Sequence, residues 1–175
     1  MSAPPEFFHI QSQQRRDMIL TRVLVLALIA LTGVSAGCGK LFGPKTTQAA
    51  VELRAAPTLN PDDSGRPSPL RLRLYELKSV SAFNSADFNS LYQHDKDVLG
   101  GDLVSVEEIQ VQPGMQKSFM RPTAPDTKFL AVLAPYRKIE QAVWRASIEV
   151  PAGKTTPVVL DVGTLAVSLK PPQKK

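Results

Sequence analysis

The sequence contains few of the residues that build metal or redox sites. One cysteine among 175 residues excludes a disulfide within the chain and any cysteine-based zinc or iron–sulfur site. One of the two histidines, His94, lies among charged residues, as is typical of a solvated helix end. The pairs Asp62-Asp63 and Asp95/Asp97 lack the ligand spacing of a calcium-binding loop. We therefore expect neither a metal nor another cofactor.

Signals for catalysis and for nucleic-acid binding are also scarce. Downstream of Cys38, no serine lies in a Gly-x-Ser-x-Gly elbow, and no glycine-rich loop has the spacing of a phosphate site. The net charge of +5 comes from scattered basic residues, without a basic stripe interleaved with aromatic side chains. These features favour a protein that is not an enzyme. Composition alone does not exclude a Ser-His-Asp set assembled by the fold, so a periplasmic hydrolase stays an alternative.

The N-terminal apolar segment is too short for a stable membrane span. Its uninterrupted apolar run, Val23–Leu31, has nine residues, whereas a spanning helix requires about 20. The small residues Gly33–Gly37 then lead directly to Cys38, a pattern that resembles the bacterial lipobox with Ser35 where a leucine is usual. We predict a lipoprotein signal peptide over residues 1–37, cleavage before Cys38, and covalent diacylglycerol and N-acyl lipid on that cysteine.

The residues after Cys38 indicate which membrane holds the lipid. Gly39 and Lys40 follow it, so the Asp that favours retention in the inner membrane of enteric-type bacteria is absent. We therefore expect the outer membrane, with the mature domain facing the periplasm. The alternative is a short membrane anchor with an incidental cysteine. Both Met1 and Met18 fit as the start of the signal.

The mature chain divides into a tether, one domain and a basic tail. We predict a lipidated tether over residues 38–47, a mainly β domain over residues 48–170 and a tail over residues 171–175. Alternating apolar residues predict seven or eight short strands, with Leu70, Leu72 and Leu74 giving one strand a buried face and a charged outer face. A helical insertion is expected at about 80–99, capped by Ser85 or Asp87 and ended by Gly100-Gly101. An antiparallel β-sandwich is the natural architecture.

The loop at Pro57–Pro69 stands out between the first two predicted strands. It contains four prolines and one glycine in thirteen residues, which excludes regular structure. Hairpin loops usually have about two to five residues, and longer ones are often functional. Prolines also reduce the entropy lost on docking. On the pattern alone, a contact loop and a tolerated surface insertion remain equally open.

An ordered series of segments follows the lipobox-like motif. The series consists of residues 69–78 (PLRLRLYELK), 83–92 (FNSADFNSLY), 98–103 (VLGGDL), 112–114 (QPG), 132–137 (VLAPYR) and 144–145 (WR). In order and spacing, these segments resemble the TssJ (SciN-like) family of outer-membrane lipoproteins of the type VI secretion system. The resemblance covers Cys38 to about residue 170, and the long leader and Ser35 are departures from the family pattern.

The resemblance implies a fold, a function and a partner. The fold is a transthyretin-like β-sandwich of 7–8 strands with a short helical insertion. The function is to anchor the trans-envelope complex to the outer membrane, and the partner is the periplasmic domain of the inner-membrane protein TssM, contacted by the loop between the first two strands. The candidate contact residues in this sequence are Asn60, Asp62, Asp63, Ser64 and Arg66, with Pro61 and Gly65 setting the loop's shape.

One further reading stays open beside the resemblance. The chain could be another transthyretin-like envelope lipoprotein that binds a small ligand or a different envelope protein. Only the family resemblance separates this reading from the secretion scaffold.

Overall fold

The computed structural model describes residues 46–173 of the chain. Cys38, the predicted signal peptide and residues 39–45 of the tether lie outside the described residues, as do Lys174 and Lys175. Ten elements follow one another in the described part: β1 Gln48–Ala55, β2 Leu70–Leu77, α1 Ser81–Ser85, α2 Phe88–Leu99, β3 Leu103–Val111, β4 Gln116–Pro122, β5 Phe129–Leu133, β6 Arg145–Glu149, β7 Thr155–Val162 and β8 Val167–Lys170. Within residues 46–173, no helix is long and apolar enough to cross a membrane.

The eight strands form two four-stranded sheets. One sheet has the order β4-β1-β7-β8 and the other the order β3-β2-β5-β6. The predicted fold class, a mainly β sandwich with a short helical insertion, is confirmed. One pair departs from the antiparallel arrangement, since β1 and β7 are parallel, with Val51 opposite Val158. Parallel neighbours need a long crossover, and here most of the chain lies between the two strands.

The sandwich core is built from alternating side chains of both sheets. Leu53 of β1, Leu72 of β2 and Leu160 of β7 are fully buried there, which follows from the period of two along each strand. Leu59, from the loop after β1, is also fully buried in this core. Burying a leucine side chain contributes about 1.5–3 kcal/mol, so Leu59 attaches the start of the loop firmly to the sandwich.

The helices cover the outer face of the second sheet. Tyr75 of β2 and Leu133 of β5 point away from the sandwich core and pack with Phe83 of α1 and Leu91 of α2. All four side chains are fully buried. The prediction of a charged outer face for β2 is therefore wrong beyond Arg73, because the helical insertion provides a second core on that side.

Helix α2 begins and ends as the sequence indicates. Asp87 caps its N-terminus by accepting a hydrogen bond from the Ser90 backbone N–H at 3.0 Å, and Gly100, with a φ of +48°, follows its last residue. His94 is exposed at a kink, with φ −134° and ψ 36°. Arg73 of β2 donates to the Tyr92 carbonyl at 2.8 Å and to Asp95 at 3.2 Å, which holds the two sides of the kink against the sheet.

Candidate contact surface at one end of the sandwich

The Pro57–Pro69 loop is attached to the sandwich at its base. Beyond the buried Leu59, the Ser68 N–H donates to the Leu59 carbonyl at 2.9 Å and joins the two sides of the loop. The Asn60 N–H donates to the Thr164 carbonyl, in the turn between β7 and β8, at 3.0 Å. The loop therefore has a defined conformation at its base.

Asn60 shapes the loop from inside. Its φ is +47°, in the left-handed region that asparagine tolerates better than most residues, and only 3% of it is exposed. Its Oδ1 accepts from the Arg137 N–H at 2.8 Å, and its Nδ2 donates to the Pro69 carbonyl at 3.1 Å. The side chain thus has little surface left for a partner. The structure gives Asn60 a shape-setting role, and its contact with a partner stays a prediction.

Asp62 organises the tip of the loop. Its carboxylate accepts from the backbone N–H groups of Ser64 and Arg66, each at 2.9 Å, and from Arg66 Nε at 2.9 Å. These bonds lower the pKa of Asp62, with the Arg66 N–H as the largest cause, so the carboxylate stays ionised. Gly65 turns the chain with a φ of +77° and donates its N–H to the Asp62 carbonyl at 2.9 Å.

The rest of the tip faces solvent. Asp63, Ser64 and Gly65 are exposed, and the Arg66 side chain is 79% exposed despite its bond to Asp62, while Pro61 is half-buried. The seven candidate residues therefore divide into two groups. Asn60, Pro61, Asp62 and Gly65 shape the loop, and Asp63, Ser64 and Arg66 present side chains outward.

Two other segments meet the loop at the same end of the sandwich. Thr164, in the β7–β8 turn, shares a hydrogen bond of 2.6 Å between its Oγ1 and that of Thr58. The Tyr136 hydroxyl, in the connection between β5 and β6, donates to the Gly163 carbonyl at 3.2 Å. Sequence patterns do not indicate that these segments adjoin the loop, because the contacts join residues far apart in the chain.

The N-terminus of the described chain lies at the opposite end of the sandwich. The Gln48 N–H donates to the Lys154 carbonyl at 3.1 Å, and Thr47 Oγ1 accepts from the Gly153 N–H at 2.8 Å. From there β1 runs eight residues to the loop end, a length of about 26 Å at 3.3 Å per residue. The loop therefore projects away from the side where the chain enters the domain.

A cleft of about 380 Å³ lies beside the N-terminus of α2, and its lining includes the aromatic side chains of Phe88 and Trp144. Phe88 meets Trp144 edge to face, with ring centroids 5.3 Å apart. The Arg145 guanidinium lies 4.6 Å from the Trp144 ring centroid and donates to the Phe83 and Ala86 carbonyls. Within residues 46–173, no group of three or more His, Cys, Asp or Glu side chains could hold a metal ion.

Comparison with known proteins assigns the fold to a family. A family model described as "Type VI secretion lipoprotein, VasD, EvfM, TssJ, VC_A0113" matches residues 47–165, which include strands β1 to β7 and the loop. The chain belongs to this family of type VI secretion lipoproteins. The resemblance drawn from the sequence is thereby confirmed. A search of curated proteins found no match.

Solved structures agree with the family assignment. The T6SS lipoprotein TssJ1 from Pseudomonas aeruginosa is 36% identical with a TM-score of 0.70, over 74% of this lipoprotein and 99% of TssJ1. A chain of a structure described as "Type VI membrane complex" is 26% identical with a TM-score of 0.63, over 72% of this lipoprotein and 99% of that chain. A chain of the structure described as "T6SS protein TssM C-terminal domain (869-1107) from EAEC" is 24% identical with a TM-score of 0.60, over 72% and 99%, and shows the fold alone.

Proposed function

We propose that this lipoprotein is the outer-membrane anchor of a type VI secretion membrane complex. Lipid on Cys38 holds it to the outer membrane, and the Pro57–Pro69 loop binds the periplasmic domain of a TssM-like inner-membrane protein. Its role is that of a scaffold and not of an enzyme. Membership of the family supports the assignment to the secretion system. The match to a chain from a structure described as "Type VI membrane complex" supports the assignment to this complex.

The position and rigidity of the loop carry the proposal. The loop projects from the end of the sandwich opposite to Gln48, where the tether from Cys38 enters. Gln48 is the tenth residue after Cys38, so a fully extended tether would reach at most about 35 Å. An anchor attached at one end leaves the other end free to meet a partner that comes from the inner membrane.

The loop is ordered before any partner binds. Leu59 and Asn60 fix its base, and the bonds of Asp62 fix its tip. A preformed loop loses little conformational entropy on binding, because ordering a side chain at an interface otherwise costs about 0.5–1.5 kcal/mol. Asp63, Ser64 and Arg66 are then presented in a constant arrangement.

The test changes the exposed tip and leaves the loop's framework intact. A double variant, Asp63→Lys with Ser64→Arg, keeps Asn60, Asp62 and Gly65, so the bonds that define the loop remain. We expect it to bind the purified TssM-like periplasmic domain about 100-fold more weakly, a loss of about 2.7 kcal/mol that is typical of interface hot spots. Calorimetry on mature chains, residues 39–175, measures the change.

The matched control applies the same chemistry away from the loop. Asp97→Lys with Gln93→Arg makes the same change of net charge on exposed positions of α2, and its affinity should equal that of the wild type. Wild-type affinity in the Asp63/Ser64 variant, or no binding by the wild type, would overturn the proposal. A pull-down from envelope extracts would then identify the ligand or envelope protein of the alternative reading.

A further inference from the structure

Val143 leaves an apolar side chain in solvent at the loop end of the sandwich. It is 58% exposed, more than the other large apolar residues, Tyr92, Val106 and Met120, that the described part of the chain leaves exposed. Single exposed apolar residues are common on protein surfaces. The exposure of Val143 alone therefore does not indicate a binding site, and the residues around it have to be considered.

The backbone of Val143 is held on both sides. Its N–H donates to the Leu165 carbonyl at 2.9 Å, and its carbonyl accepts from the Val167 N–H at 2.9 Å. The next residue, Trp144, accepts from the Ala134 N–H at 2.7 Å. A β-branched side chain on a fixed backbone has few rotamers to lose, so Val143 presents its methyl groups in a nearly constant position.

The same bonds connect Val143 to the candidate loop. Leu165, whose carbonyl accepts the hydrogen bond from Val143, follows Thr164 in the chain. Thr164 is itself hydrogen-bonded to both Thr58 and Asn60. Arg137, six residues before Val143, donates its N–H to Asn60. Val143 and the Asp63–Arg66 tip therefore stand on one rigid framework at one end of the molecule.

The polar residues on this framework give this end the composition of a binding surface. Thr164, Arg137 and Ser64 are exposed polar residues that lie on the same framework as the apolar Val143. Protein interfaces combine an apolar centre with a polar rim, and the rim excludes water from the centre. The β7–β8 turn connects the two parts of this surface, because it is hydrogen-bonded both to the base of the loop and to Val143.

We propose that the partner-binding surface extends from the loop tip over the β7–β8 turn to Val143, which packs against an apolar side chain of the same periplasmic partner. This inference rests on the proposed function, since the occupant is the TssM-like domain. It adds Val143 to the surface, a residue outside the loop between the first two strands.

The test compares two exposed apolar residues of the same chain. Val143→Asp should weaken binding of the TssM-like periplasmic domain at least tenfold, because the partner's apolar side chain would face a carboxylate. Met120→Asp is the matched control. Met120 is 53% exposed on β4, opposite Ala50 of β1, and its change should leave the affinity within twofold.

A milder variant guards against a fold defect. Val143→Thr keeps the shape and the backbone bonds and should weaken binding at least threefold with an unchanged thermal unfolding midpoint. If Val143→Asp does not fold, the affinity of Val143→Thr alone tests whether Val143 belongs to the binding surface. Wild-type affinity in both folded Val143 variants, together with lost affinity in the Asp63→Lys/Ser64→Arg variant, would overturn this inference and leave the proposed function standing. Wild-type affinity in all of them would overturn both.

Discussion

Replacing Asn60 tests whether the loop is preformed, because this residue connects three segments. Asn60→Ala removes two side-chain hydrogen bonds and leaves the Arg137 N–H and the Pro69 carbonyl without their partner. An unsatisfied buried group costs about 1–3 kcal/mol. Alanine also tolerates the φ of +47° poorly, at a cost of about 1–2 kcal/mol. Because both hydrogen bonds are only partly buried, we expect a loss from the lower part of this sum, about 3–5 kcal/mol in the free energy of unfolding.

Asn60→Gly separates the two contributions. Glycine loses the same hydrogen bonds but accepts the positive φ without steric cost. After allowance for the greater flexibility of the unfolded chain, the glycine variant should be about 1 kcal/mol more stable than the alanine variant. Both variants should also bind the TssM-like domain more weakly, because the Asp63–Arg66 tip loses its fixed base.

Urea unfolding followed by the fluorescence of Trp144, the one tryptophan, measures these differences. Asn84→Ala is the control, since Asn84 is exposed on α1 and its change should stay within about 0.5 kcal/mol. An alanine variant as stable as the wild type would refute the reasoning about Asn60. A glycine variant less stable than the alanine variant would refute the part that concerns φ.

Two further predictions concern a buried carboxylate and the lipid anchor. Burial disfavours ionisation of Glu76, but bonds from the Ala124 N–H at 3.0 Å, Thr127 Oγ1 at 2.7 Å and Arg121 at 3.0 Å outweigh it and lower its pKa. The stabilisation of the folded state by ionised Glu76 is therefore complete above the pKa of the unfolded chain, about 4.3. It is lost as the pH falls through the lower pKa of the folded state. In urea titrations at pH 7, the free energy of unfolding of Glu76→Gln should be about 2 kcal/mol lower than that of the wild type. The difference should become smaller toward pH 3. A difference that is independent of pH would contradict this reasoning. Cys38→Ser should move the protein from the outer-membrane fraction to the soluble fraction or another membrane on cell fractionation, and normal outer-membrane fractionation would refute the lipid anchor.

Local signals predicted much of the secondary structure. The strand predicted from Leu70, Leu72 and Leu74 lies within β2, and Asp87 caps α2 as one of the two proposed caps. These features depend on contacts within a few residues, such as the bond from the Ser90 N–H to Asp87. The Pro57–Pro69 loop was also recognisable, because its prolines exclude regular structure wherever the chain folds.

Features that depend on distant contacts were not predictable in this way. Tyr75 alternates with leucines as a polar outer residue would, yet it is fully buried, because the helical insertion folds back over β2. Glu76 is 5% exposed in a strand whose pattern gives no sign of a buried charge. Its partner Arg121 lies on β4, 45 residues away in sequence.

Neighbouring residues are enough to specify the short apolar segment before Cys38, the period of two in the strands, the capped helix and a loop too rich in proline for a strand. Each follows from local conformational preferences. The burial of Asn60, the parallel pairing of β1 with β7 and the position of Val143 at the loop end of the sandwich arise only from the packing of distant segments. Asn60 and Arg137 are 77 residues apart in sequence. No local sequence pattern indicates such a pairing, because the pairing arises only when the two sheets pack and bring the loops at their ends together.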